Sequence, residues 1–92
     1  MNSNFFNPML QNKVAIVTGG SGHLGNEIIK ALNNCGVKVM SLDVIKSQRK
    51  LGNNFHFEYC DISKKNKLEK CINLCIKKFK KIDILINNAS IV

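Results

Sequence analysis

A glycine-rich segment between an apolar run and a helical pattern limits the possible folds of this chain more than any other feature. Residues 14–18 form a short apolar run rich in β-branched side chains, typical of a strand buried on both faces of a parallel sheet. Four glycines follow within residues 19–25, and apolar positions at helical spacing come next. The segment predicts a strand, a tight turn and a helix, whose first amides can hold a phosphate. The alternative is an ordinary turn without a ligand.

The rest of the chain alternates between strand and helix patterns. Strands are predicted at residues 14–18, 37–43, 55–60 and 82–86, and helices over residues 22–34 and from an N-cap at Ser63 to about Phe79. Residues 46–54 are predicted to form a short helix or a turn. This alternation predicts an α/β fold, a Rossmann-like doubly wound parallel sheet with the partial strand order 3-2-1-4.

Both helices have apolar positions that predict which face is buried. The first helix is expected to bury Leu24, Ile28, Ile29, Ala31 and Leu32, and the second Leu68, Ile72, Cys75, Ile76 and Phe79. The four cysteines, Cys35, Cys60, Cys71 and Cys75, include no CxxC pair and have no histidine at ligand spacing. They are therefore interpreted as small buried side chains of a protein in a reducing compartment, with no metal site.

Length and charge limit the class of protein further. Ninety-two residues are enough for one small domain, predicted as a loosely held leader at residues 1–9 and a domain at residues 10–92. The leader lacks the pattern of a signal peptide, and no apolar run reaches the roughly 18 residues of a membrane span, so a cytoplasmic protein is expected. The net charge is +8, but Arg49 is the only arginine and the lysines are scattered. Nucleic-acid binding is therefore not favoured.

Four features in sequence order resemble one known family. They are the glycine-rich turn, Asp43 at the end of the second strand, Asp61 and Ile62 after the third, and Asn87-Asn88-Ala89 after the fourth. Together they resemble the N-terminal part of a short-chain dehydrogenase/reductase, a family of Rossmann-fold oxidoreductases that use NAD(P). The resemblance covers residues 10–92, and it implies that this segment is the cofactor-binding part of such an enzyme.

The glycine turn matches one form of the family's cofactor loop. Thr18, Gly19, Gly22 and Gly25 fit Thr-Gly-x-x-Gly-x-x-Gly, whereas the form Thr-Gly-x-x-x-Gly-x-Gly, which usually accompanies Asn-Asn-Ala, requires glycine where His23 stands. The subfamily therefore stays open. The resemblance implies that the cofactor is contacted by Gly19, Ser21, Gly22, His23, Leu24 and Gly25. His23 either lies over the pyrophosphate or faces solvent.

The remaining matches imply the positions of the ribose and adenine. Asp43 corresponds to the acid that accepts hydrogen bonds from the ribose hydroxyls and repels a 2′-phosphate, which favours NAD over NADP, although Lys46 and Arg49 follow nearby. Asp61 would face the adenine amine and Ile62 the adenine ring. As structural alternatives, Asp43 could be a strand-ending turn residue and Asp61 a helix cap. The family's cofactor-lining segment after the fourth strand corresponds here to Asn88, Ala89 and Ser90, where Ser90 replaces a usual glycine.

The family's catalytic pattern does not occur in this sequence. The resemblance implies a catalytic Ser and a Tyr followed four residues later by Lys, but the one tyrosine is Tyr59, and Ser63 stands four residues on. The chain is therefore expected to bind a dinucleotide without catalytic residues of its own, and a small-molecule substrate is expected only in a full-length form. The alternatives are a non-catalytic nucleotide-binding module and an inactive gene fragment. The chain is expected to self-associate through its fourth strand, which lies at an open edge of the sheet.

Overall fold

The computed structural model of the chain describes residues 8–50 and 52–89. The elements are β1 (Val14–Thr18), α1 (His23–Asn34), β2 (Lys38–Asp43), β3 (Phe55–Tyr59), α2 (Lys65–Phe79) and β4 (Ile84–Asn87). The four strands form one parallel sheet in the order β3-β2-β1-β4. The predicted fold class, a partial Rossmann-like sheet with this strand order, is confirmed. Neither helix in this part of the chain is long and apolar enough to cross a membrane.

Each face of the sheet is covered by one helix, and every residue of β1 is buried. The α2 face of the core contains Val14, Ile16, Met40, Leu42, Cys60, Cys71, Cys75 and Phe79. The α1 face contains Ala15, Val17, Ile29, Val37, Val39 and Phe55. Because successive side chains of a strand point to opposite faces, the continuous apolar run of β1 serves both layers. Burial raises the pKa of Cys71 to about 12 and also raises that of Cys75.

The structure corrects the buried face of each helix. Leu24 and Ala31 are exposed, since they lie about 140° and 160° around α1 from the fully buried Ile29. Ile76 is 45% exposed because it lies about 100° around α2 from the fully buried Cys75 and about 140° from Cys71. Cys71 instead points into the core. The predicted buried faces were therefore too wide, since they included residues that face solvent.

The start of α2 also differs from the prediction. Its N-cap is Lys64, which has no side-chain capping hydrogen bond, and the expected cap at Ser63 is wrong. The Ser63 hydroxyl and amide both donate to Oδ1 of Asp61, at 2.6 and 3.0 Å, so the hydroxyl is not available to the helix. Residues 46–50 and 52–54 contain no helix and form an extended connection with turns.

Asp83 joins β1 to β4 at the amino end of the sheet. Its Oδ2 accepts the amide of Val14 at 2.9 Å, and its own amide donates to the Val14 carbonyl at 2.8 Å. The Val14 hydrogen bond, with a smaller contribution from Lys81, holds the pKa of Asp83 below its ordinary value. Asp83 is thus an acid with a structural role at the edge opposite the carboxyl ends of the strands.

An apolar groove adjoins the outer side of β4. Among the described residues, β4 pairs with β1 and with no other strand. Leu85 is 66% exposed and lines a cavity of about 320 Å³ between β4 and α2. The cavity is lined by Ile16, Thr18, Ile62, Leu68, Ile72, Ile82, Leu85 and Asn87. Open strand edges beside apolar surface favour pairing with another chain.

Substituting Leu85 with lysine is expected to reduce self-association of the 92-residue chain. The substitution places a charge on the groove, whereas Leu74→Lys adds the same charge at a 42% exposed position of α2 and serves as the control. Because the net charge of +8 opposes association, the parent is expected to form more oligomer at high salt. Sedimentation velocity checks both points. A monodisperse parent monomer at high salt would contradict the expectation.

Candidate functional site

The Thr18 hydroxyl joins the carboxyl ends of β1 and β4. Its Oγ1 accepts the amides of Asn88 and Ala89, at 3.0 and 3.1 Å, and lies 3.2 Å from Oδ1 of Asn87. The side-chain amide of Asn88 donates to the Gly19 carbonyl at 3.1 Å. The turn after β4 is therefore held directly against the start of the glycine turn. This contact brings together two segments that are about 70 residues apart in the sequence.

Glycine is required at two positions of the turn for different structural reasons, and at a third it is not required by the fold. Gly19 has a φ of +68°, and a Cβ there would lie 2.9 Å from the Cα of Ala89. A Cβ on Gly25 would overlap the Gly19 carbonyl oxygen and lie 2.8 Å from the Cα of Gly20, so Gly25 permits close packing of α1 on the turn. At Gly22, the added atom would meet just the Gly19 oxygen, at an ordinary 3.5 Å. The fold itself therefore does not require glycine at position 22.

The first turn of α1 is open to a hydrogen-bond acceptor. Gly22 is its N-cap, no side chain caps the helix, and no acidic residue lies in its first turn. The Ser21 hydroxyl oxygen is buried and has no hydrogen-bond partner within residues 8–50 and 52–89. Helix amides without intrahelical partners attract anions, and a buried hydroxyl normally has a partner. These groups fit the phosphate of a nucleotide.

Asp43 lies beside the glycine turn at the end of β2. Its Oδ2 accepts the amide of Ser21 at 3.0 Å, and its Oδ1 accepts the amides of Val44 and Ile45, at 2.7 and 3.2 Å. A carboxylate has about four lone-pair sites, so these three bonds leave capacity for a ligand hydroxyl. No lysine or arginine of the described chain forms an ion pair with Asp43. Its negative charge is therefore not neutralised by a neighbouring cation.

One cavity connects the ends of β1, β2, β3 and β4. It has a volume of about 280 Å³ and is lined by Gly19, Leu42, Asp43, Val44, Cys60, Asp61, Ile62 and Ala89. Hydrogen bonds from the hydroxyl and then the amide of Ser63 lower the pKa of Asp61. Asp61 is thus an ionised acceptor at neutral pH. The cavity combines apolar walls with two carboxylates, an arrangement suited to a flat ring with polar edges.

The structure places the predicted site residues in three groups. Those lining the cavity are Gly19, Asp43, Asp61, Ile62 and Ala89. Those that pack or hydrogen-bond around the glycine turn are Ser21, Gly25 and Asn88, and those exposed near the start of α1 are Gly22, His23 and Leu24. Ser90 lies outside the described residues. No group of metal-ligating side chains occurs in the described part.

Three residues that line the cavity were not predicted from the sequence. Leu42 and Val44 flank Asp43, and Cys60 precedes Asp61. Each is next in sequence to a predicted carboxylate, and this position was the one sequence feature that could have indicated a place in the cavity. Apolar residues at strand ends carry no pattern of their own that separates a cavity wall from the core.

One family of known proteins matches nearly the whole chain. The sequence profile of the short chain dehydrogenase family matches residues 13–92. The chain belongs to this family. A relative from Melia azedarach, (21S)-21-acetoxyl-apo-melianone synthase SDR, is 33% identical over 88 residues, covering 90% of this chain and 32% of its own length. The resemblance stated from the four sequence features is therefore confirmed.

Solved short chain dehydrogenase structures agree with this assignment. One from Leptospira borgpetersenii with bound NAD⁺ has a TM-score of 0.79 and 29% identity, covering 99% of this chain and 35% of that one. The 3-ketoacyl-(acyl-carrier-protein) reductase from Brucella melitensis, complexed with NADH, has a TM-score of 0.77 and 31% identity, covering 83% and 34%. The chain thus spans about a third of the relatives' length and corresponds to the NAD(P)-binding part of this oxidoreductase family.

Proposed function

We propose that the chain binds NAD at the cavity beside the glycine turn. The observation that carries the proposal is the position of Asp43, an unneutralised carboxylate next to the open first turn of α1. The pyrophosphate lies over the amides of that turn, where Ser21, Gly22, His23 and Leu24 are located. The bound nicotinamide supplies hydride chemistry, and the residues of this chain bind and orient the cofactor.

The residues that line the cavity are proposed to bind the adenosine half of NAD. Asp43 accepts hydrogen bonds from the ribose hydroxyls and repels a 2′-phosphate, so NAD is preferred to NADP. Adenine occupies the cavity, with its amine toward Asp61 and its ring against Ile62 and Val44. Asn88 and Ala89 line the side of the cofactor next to β4, where the Thr18 hydroxyl holds both. Ser90, which follows them in the sequence, is also proposed as a cofactor contact. Gly19 and Gly25 let the turn and helix approach closely.

Hydride transfer to or from an alcohol or carbonyl is proposed for a full-length form, which alone would take a small-molecule substrate. No catalytic residue is assigned within these 92 residues, because Tyr59 is followed four positions later by Ser63 and not by Lys. A non-catalytic nucleotide-binding module is the second candidate, supported by the presence within this chain of the carboxylates and apolar residues proposed to bind adenosine. Turnover after a separately made C-terminal part is added favours the first candidate over the second.

Charge distribution and cysteine burial bear on the partners and the location of the protein. Lysines spread around the surface and a single arginine do not form a nucleic-acid site, so neither nucleic acid nor membrane is a proposed partner. Buried thiols at Cys60, Cys71 and Cys75 suit a reducing compartment, and we infer a cytoplasmic protein. A leader at residues 1–9 before a domain at residues 10–92 remains a prediction.

Calorimetric titration of the 92-residue chain with NAD, NADP and duplex DNA tests the proposed function. Saturable binding of NAD, tighter than that of NADP, is the expected result. Binding of DNA with a steep salt dependence and no heat from NAD would overturn the proposal, because such dependence reports phosphate neutralisation by surface cations. An NADH absorbance assay on the same sample is expected to show no turnover.

A further inference from the structure

The connection between β2 and β3 is bound to α1 at two places. The Arg49 guanidinium donates from Nη2 to the carbonyl oxygen of Asn26 at 3.1 Å and to its Oδ1 at 2.8 Å. Nearer the end of the connection, the side-chain amide of Asn33 donates to the Asn54 carbonyl at 3.0 Å. The connection that follows Asp43 therefore lies along α1, and its arginine is directed to that helix.

Two further contacts fix the position of Arg49. Its guanidinium lies 5.6 Å from the centroid of the Phe55 ring, within the range of a cation–π interaction. Its amide donates to the Ser47 hydroxyl at 3.1 Å. Phe55 is 4% exposed and belongs to the core, so the ring is a rigid support. The side chain is thereby held between Asn26 and Phe55.

This position affects which cofactor the site accepts. Arginine is the side chain best suited to bind a phosphate, and Arg49 is the only arginine of the chain. It follows Asp43 by six residues, yet it forms no ion pair with that carboxylate. Asn26, which Arg49 contacts, lies in the first turn of α1, and its amide donates to the Gly22 carbonyl at 2.9 Å. Arg49 is therefore held beside the same glycine turn that contacts Asp43, so a guanidinium released from Asn26 would lie near the ribose side of the site, where it would neutralise a 2′-phosphate.

We propose that Asn26 determines cofactor specificity by holding Arg49 on α1, away from the 2′ position of the adenosine ribose. The inference rests on the proposed function, since it concerns the same nucleotide site. Asn26 acts through Arg49 and is a positioning residue. The negative charge of Asp43 and the restraint on Arg49 then act in the same direction, both against a 2′-phosphate.

Removing the Asn26 side chain tests this inference. In Asn26→Ala, the 2.8 Å bond to Oδ1 is lost and just the 3.1 Å bond to the main-chain carbonyl remains, so Arg49 is held less firmly. The affinity for NADP is then expected to rise by about tenfold, the lower end of what a hydrogen bond from a charged donor contributes. NAD affinity is expected to stay within about twofold, because the released guanidinium meets no phosphate at the ribose of NAD. Calorimetry with both dinucleotides measures the two changes, and circular dichroism confirms that α1 is retained.

Three further variants test whether the gain in NADP affinity depends on Arg49. Adding Arg49→Gln to Asn26→Ala is expected to cancel the gain for NADP, whereas adding Lys46→Gln is expected to preserve it. Asn26→Asp keeps an acceptor and adds charge, so it should hold Arg49 more firmly and weaken NADP binding. This variant provides a second test if Asn26→Ala loses its helix. The NADP gain should also shrink as salt is raised.

The outcomes distinguish this inference from the proposed function. A parent chain that binds no NAD refutes both. If NAD binding is intact, two results overturn the role of Asn26 alone: unchanged NADP affinity in Asn26→Ala, or a gain that persists when Arg49 is also replaced.

Discussion

A valine at position 22 is expected to weaken NAD binding strongly while leaving the chain folded. Gly22 is the exposed N-cap of α1 with an ordinary φ of −75°, and an added Cβ would meet just one atom, at 3.5 Å. The Cβ would therefore fit without a clash, and the branched side chain is expected to hinder the approach of a phosphate to the amides of the first turn. We expect the affinity for NAD to fall by more than tenfold, equivalent to about 1.4 kcal/mol.

Gly52→Val is the matched control for this substitution. A Cβ at Gly52 meets nothing within 4 Å, and the residue lies in an exposed turn outside the cavity. It should leave NAD affinity unchanged, and thermal unfolding should show both variants folded. Gly25 is unsuitable for the same test, because any side chain there collides with the glycine turn. Parent-like NAD affinity in Gly22→Val would show that the pyrophosphate does not lie over this turn.

The order of the strands was predictable from the sequence because few arrangements satisfy its pattern. Alternating strands and helices require parallel pairing, and right-handed crossovers then leave the order 3-2-1-4 as the simplest solution. The bounds of β1 agree with the prediction at residues 14–18, since a continuous apolar run ends at the first glycine. The positions of Asp43 and Asp61 at one edge follow from the same parallel arrangement, and the structure places both carboxylates in one cavity.

Local competition between hydrogen bonds was not predictable in the same way. Ser63 has the residue type of an N-cap, but its hydroxyl lies 2.6 Å from Oδ1 of Asp61 and donates there. The contact of Arg49 with Asn26 joins residues 23 positions apart, and neither side chain belongs to a motif. On α2, Cys71 and Ile76 were both possible core residues, and the way the helix rests on the sheet selects the cysteine. Such choices depend on tertiary packing.

Removing the charge of Asp43 is expected to reduce both the affinity for NAD and the discrimination against NADP. Asp43→Asn keeps the size of the side chain and one acceptor oxygen, but its NH2 group only donates, so one of the two carboxylate oxygens is lost as an acceptor for a ribose hydroxyl. Hydrogen bonds to charged groups contribute about 1.5–3 kcal/mol, so NAD affinity should fall by roughly tenfold to a hundredfold. Repulsion of the 2′-phosphate disappears at the same time, and the ratio of the two affinities should narrow by about tenfold or more.

Part of the loss of affinity in Asp43→Asn has a structural cause. This part affects NAD and NADP alike, so it cancels in the ratio of the two affinities. Oδ2 of Asp43 accepts the Ser21 amide at 3.0 Å, so the glycine turn is disturbed equally for both dinucleotides. Asp83→Asn is the control, because Asp83 also accepts a backbone amide, from Val14 at 2.9 Å, but lies at the opposite end of the strands. It should lower stability and leave the ratio unchanged. If calorimetry finds the same NAD/NADP ratio in Asp43→Asn as in Asp83→Asn, Asp43 does not contact the ribose.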